Sequence, residues 1–84
     1  GIAVGDIDAQ TRQVLSNLEA TLAAADRGLS DVTAMYVYVP QITHAGSVGQ
    51  ILDEVVGTAA SRTFVGAELM GPDYLVEIMM VVGG

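Results

Sequence analysis

Residues 32–39, Val-Thr-Ala-Met-Tyr-Val-Tyr-Val, constrain the fold more than any other stretch of the chain. The run is rich in β-branched and aromatic side chains, which suits a pleated strand. Successive strand residues point to opposite faces. Here both sets are apolar, with Val32, Ala34, Tyr36 and Tyr38 on one and Thr33, Met35, Val37 and Val39 on the other. Such a run predicts a central strand covered on two sides. Pro40 ends it, because proline cannot donate to a ladder.

A strand with two apolar faces needs partners, and the flanking sequence supplies them. From 8 to 26, Val14, Leu15, Leu18, Leu22 and Ala25 recur at three- and four-residue steps, with Gln10, Arg12, Gln13, Asn17, Glu19 and Thr21 mostly elsewhere. This predicts an amphipathic helix, with Asp6 or Asp8 at its N-cap and Gly28 as C-cap after Arg27. A second helix follows Gln41-Ile42-Thr43, with Thr43 or Ser47 as candidate caps. Its apolar stripe is Val48, Ile51, Leu52, Val55 and Val56, while Gln50, Asp53 and Glu54 face out. Residues 62–69 and 74–82 read as two strands joined through the turn residues Met70-Gly71-Pro72-Asp73, a hairpin. Glu77 interrupts the second of these apolar runs, and a buried carboxylate requires a partner. Paired strands would place it near Arg62 or on backbone donors. Gly1 to Gly5 resembles the tail of another strand. The expected fold is α+β, one domain over residues 1–84, with two helices on one face of a sheet.

The other sheet face has no helix to cover it. Of the 84 residues, 51% are hydrophobic and only 15% charged, with a mean hydropathy of +0.50. A chain of this size buries only roughly 60–65% of its unfolded surface, so self-association is the expected outlet. No run approaches the ~20 apolar residues of a membrane span. There is no cysteine, which suits a cytoplasmic protein. The net charge of −7, with no lysine and three scattered arginines, excludes the clustered cations that nucleic acid binding uses. His44 has no second ligand at a metal-binding spacing, so no metal is expected.

Arg62 stands alone at the mouth of a strand, a planar fork of donors with a fixed charge. The residues themselves leave two readings. One is an ion pair with a nearby acid, such as Glu68 or Glu77, and this is the commoner fate of a single arginine. The other is a clamp for one carboxylate of a small ligand.

Four stretches narrow this choice. They are Gly5-Asp6-Ile7-Asp8-Ala9-Gln10-Thr11-Arg12-Gln13-Val14-Leu15-Ser16-Asn17-Leu18-Glu19-Ala20 with Leu29-Ser30-Asp31-Val32, then Ser61-Arg62-Thr63, then Gly71-Pro72-Asp73-Tyr74-Leu75-Val76-Glu77-Ile78. Together they closely resemble the RidA family, also called YjgF. The resemblance covers nearly all of this chain and about the last two-thirds of a family domain. It implies a chorismate-mutase-like α+β fold, assembled as a homotrimer with clefts between subunits and lacking here the first two family strands. A separate N-terminal chain is one source for those strands, since an open sheet edge invites pairing. The resemblance further implies hydrolysis of reactive enamines and imines to 2-oxo acids and ammonia, without a metal or organic cofactor. The family arginine that holds the substrate carboxylate corresponds to Arg62.

The sequence departs from that pattern at the site itself. The glutamate that positions the hydrolytic water in deaminating members corresponds to Met79, which can neither take a proton nor orient water as a carboxylate does. Gly49 stands where the family commonly has asparagine. Phe64, two residues after the arginine, replaces a smaller side chain and makes the pocket narrower and more apolar. The expected binding residues are therefore Arg62, Phe64 and Met79, with no catalytic residue assigned. Two functions follow: a RidA-like enzyme, or a non-deaminating relative that binds a small carboxylated metabolite or serves as a structural subunit.

Overall fold

A computed structural model describes residues 6–83; the strand expected at Gly1 to Gly5 lies outside them. Helix α1 spans Ile7–Ala24, strand β1 Val32–Val39, helix α2 Ala45–Val55, strand β2 Ser61–Gly66 and strand β3 Glu77–Val82. Asp6 caps α1, its carboxylate accepting from the Ala9 N–H at 3.0 Å, which satisfies one of the orphan donors of a helix start.

The end of α1 differs from expectation. Asp26, not Gly28, takes the left-handed conformation, with φ 58°. The Arg27 N–H donates to Leu22 O at 2.8 Å and the Asp26 N–H to Ala23 O at 3.0 Å, the bonding pattern of a Schellman motif. Gly28 instead starts a single 3-10 turn, its N–H donating to Asp31 Oδ2 at 2.9 Å. That turn delivers the chain into β1.

The sheet order is β2-β1-β3, so residues 32–39 do take the centre. β1 runs parallel to β2, with Met35 opposite Arg62 and Val37 opposite Phe64. It runs antiparallel to β3, with Tyr36 opposite Met79 and Tyr38 opposite Glu77. The expected hairpin is therefore wrong: the Arg62 strand and the last strand flank β1 rather than pairing with each other. α2 is the crossover that a parallel pair requires, and it leaves the opposite edge of β1 for β3. The Gly71 turn exists, closed by Tyr74 N–H to Gly71 O at 3.2 Å, but inside the long connection over residues 67–76.

Between Val32 and Ala34 the register with β3 shifts. Such a bulge sets two residues against one and reverses the alternation. Val32 therefore joins Met35, Val37 and Val39 in the core, although the unbroken pattern put it on the other face.

Both helices lie against this core face. Leu15 from α1 and Val48, Ile51 and Leu52 from α2 are buried there with Val76 and Ile78. Val55, at 36% exposed, falls at the margin. α2 begins after a 3-10 turn over Ile42–His44, and His44 occupies the N-cap with no side-chain bond. Neither Thr43 nor Ser47 caps it, because the tight turn already sets the helical direction.

Candidate functional site

Arg62 is built into a socket made by the second half of α2 and the turn after it. Its Nη1 donates to Asp53 Oδ1 at 2.9 Å and to Gly49 O at 3.2 Å. Its Nη2 donates to Gly57 O at 2.9 Å. Gly49 and Asp53 are one helical turn apart, so both acceptors face the same way. Gly57 closes the socket with φ 97°, a left-handed conformation that glycine adopts without strain. The Arg62 side chain is 19% exposed and that of Asp53 55%. The acid partner is Asp53, so the expected pairing with Glu68 or Glu77 is corrected. Glu77 is exposed on β3 opposite Tyr38 and needs no buried partner.

Three of the five guanidinium N–H groups are thus engaged, and the Nε–H and one Nη2–H remain. That is the number needed to grip a single carboxylate in a two-point contact.

Phe64 lies two residues along β2 and on the same face. Its ring packs against the core, and Cζ is 3.9 Å from where a Gly49 Cβ would stand. Arg62 and Phe64 therefore meet α2 at the same residue. Met79 does not join them. It sits on the opposite, open face of the sheet, 52% exposed, in a row with Tyr36 and Thr63.

The other two cations are engaged elsewhere. Arg12 bridges α1 to α2 by donating to Glu54 Oε2 at 2.6 Å. That hydrogen bond and the charge beside it raise the Arg12 pKa and hold the Glu54 carboxyl below its usual range. Arg27 donates to Gly83 O at 3.1 Å. An apolar groove of about 280 Å³ between α1 and residues 69–78, lined by Val14, Leu18, Tyr74 and Ile78, contains neither Arg62 nor Phe64. It offers no cation, so the Arg62 socket is the stronger candidate for an anionic ligand. Among the described residues there is no cluster of three or more His, Cys, Asp or Glu side chains arranged to hold a metal ion. No helix there is long and apolar enough to cross a membrane.

Sequence reasoning missed Asp53 and the two glycine carbonyls. Asp53 reads as solvent-facing on the helical wheel, and it is exposed. The usable signal was Gly57: a helix stop there turns the chain back so that Arg62, five residues on, reaches the helix it has just left.

A family model described as endoribonuclease L-PSP matches residues 1–83. A RutC family protein of Pyrococcus horikoshii is 36% identical over 78 residues, covering 92% of this chain and 62% of that protein. One from Pyrococcus abyssi is 30% identical, covering 92% and 61%. The chain thus spans about six-tenths of the length of these curated relatives. Among solved structures, a YjgF family member from Mycobacterium tuberculosis superposes with a TM-score of 0.77 at 36% identity, covering 89% of this chain and 65% of that one. A Rid family protein from Yersinia pestis gives 0.75 at 29% identity, covering 94% and 64%. The three-stranded mixed sheet with its two helices is the YjgF-like α+β arrangement.

Proposed function

The chain belongs to the endoribonuclease L-PSP family, also called RidA or YjgF, and from that premise we propose that it binds a small carboxylated metabolite at Arg62, in a cleft assembled between copies of the chain. The observation that carries this reading is the state of the guanidinium. Three acceptors on α2 and the turn after it fix its plane, and two N–H groups stay available at a position that retains access to solvent. A clamp fixed in advance loses little side-chain freedom when the ligand arrives. The open sheet face, with Tyr36, Met79 and Val81 exposed, supports self-association, for which the family resemblance implies a homotrimer. Since Arg62 and Met79 lie on opposite faces of one sheet, a cleft lined by both takes them from different copies.

Binding is favoured over hydrolysis. Met79 stands where the water-positioning carboxylate is expected, and its thioether cannot activate water. RNA cleavage, which the family's description names, finds no support in a chain of net charge −7 with no lysine.

The test measures binding of a small 2-oxo acid by calorimetry, and ammonia release from 2-aminoacrylate generated in situ. Wild type is expected to bind and Arg62→Ala to lose binding, with little acceleration of ammonia release by either. Met79→Glu is expected to raise release in an Arg62-dependent way. Equal binding by wild type and Arg62→Ala would remove the proposal, and fast Arg62-dependent hydrolysis by wild type would replace it with the enzyme reading.

A further inference from the structure

We infer that Asp53 is a positioning and selectivity residue of the Arg62 site: it aims the guanidinium and restricts the ligand to a monoanion. This rests on the carboxylate-binding reading of Arg62 and assigns a role that the family resemblance did not give.

The positioning half follows from the hydrogen bonds. Gly49 O and Gly57 O are backbone acceptors at two ends of the same wall, 3.2 and 2.9 Å from Nη1 and Nη2. Alone they are two neutral acceptors, weaker anchors than a charge-assisted bond, and they leave one Nη1–H without a partner. The Asp53 carboxylate, 2.9 Å from Nη1, is the charged third point. It consumes the second Nη1–H, so the donors left over are the Nε–H and the remaining Nη2–H rather than the Nη1 end.

The selectivity half follows from charge. Asp53 and Arg62 together are neutral, and the other two arginines are bonded to Glu54 and to Gly83 O. A monocarboxylate brings one negative charge to a neutral pair that still offers two donors. A dianion brings a second charge that meets Asp53 at close range, and the residues that hold Arg62, namely Gly49, Asp53 and Gly57, supply no further cation; like charges at such distances disfavour binding.

The experiment uses the full chain in the assembly it forms in solution, with unaltered melting temperature as a check on folding. Two readouts separate the claims. The first is the ¹⁵N signal of the Arg62 Nε–H, which reports the order of the side chain without any ligand. Its relaxation is expected to be that of a rigid side chain in wild type and in Asp53→Asn, which keeps the Oδ1 acceptor, and that of a mobile one in Asp53→Ala. The second is calorimetric affinity for 2-oxobutanoate, a monoanion, against 2-oxoglutarate, a dianion. Asp53→Ala is expected to weaken 2-oxobutanoate binding by about tenfold, and Asp53→Asn to restore it while improving the relative affinity for 2-oxoglutarate by about tenfold, the scale of one close charge contact. If wild type binds through Arg62 and neither the signal nor the affinity ratio responds to Asp53, the role of Asp53 is overturned and the binding reading stands. If wild type binds neither acid, the binding reading itself fails, and the selectivity claim goes with it.

Discussion

Gln10 shows how a polar residue can fix a loop. It lies on α1, only 4% exposed, and its amide makes two bonds to the connection before β3. Nε2 donates to Asp73 O, and Oε1 accepts from the Leu75 N–H at 2.8 Å. An amide carries both functions on one short arm, which no apolar residue can replace. Helical periodicity placed Gln10 among the solvent-facing positions, because a wheel scores polarity and cannot see a strand-entry loop 63 residues away. Truncation to alanine strips both backbone groups of this partner, and each unsatisfied buried group costs about 1–3 kcal/mol. Gln10→Ala is therefore expected to lower the melting temperature by several degrees, since about 1 kcal/mol corresponds to roughly 4–8 °C in a domain of this size. An unchanged melting curve would show that the 67–76 connection holds without this clip.

Elements were legible where the pattern is local. Both helices and the central strand follow from spacing, and their apolar stripes are the ones that pack: Leu15 in α1, Val48, Ile51 and Leu52 in α2. Pairing was not legible. Two apolar runs separated by turn residues look like a hairpin, yet β1, apolar on both sets, lies between them and pairs with both. At the site, Arg62 was legible as an isolated cation, whereas its socket depends on how α2 ends, which spacing does not encode. Helix ends are where local rules compete. Asp26 holds φ 58° at the end of α1, a conformation that costs a non-glycine residue about 1–2 kcal/mol, and its carboxylate faces the negative end of the helix dipole. Asp26 is exposed, so removing its side chain empties no core. Asp26→Gly is expected to stabilise the fold by about 0.5–1 kcal/mol, less than the strain relieved because glycine also gains freedom when unfolded. A denaturant midpoint that falls, with the slope unchanged, would contradict this.

At the scale of the molecule, the two sheet faces have different fates. One is sealed by the helices; the other presents Ala34, Tyr36 and Tyr38 on β1, Thr63 and Val65 on β2, and Met79 and Val81 on β3, with Glu77 the carboxylate at one end. Tyr36, Met79 and Val81 are 38%, 52% and 45% exposed, and contiguous apolar exposure of this kind marks an interaction surface. A face that meets copies of itself must be self-complementary or close a ring, and a mixed row of tyrosine, methionine and valine can interdigitate while Glu77 stays at the rim. Val81 gives the cleanest handle, since it lies on the open face away from the Arg62 socket and leaves Met79 in place. A charge there stays hydrated in a lone chain but is desolvated in an assembly, at a cost of several kcal/mol. Wild type is thus expected to self-associate by light scattering, with a melting temperature that depends on protein concentration, and Val81→Asp to remain monomeric and lose that dependence. The variant should also lose ligand binding at Arg62 if the cleft is made by two copies, even though the socket of Gly49, Asp53 and Gly57 is intact within each. A monomeric variant that still binds a 2-oxo acid would place the whole site inside one chain, and an oligomer unaffected by the Val81→Asp substitution would move the interface to another surface.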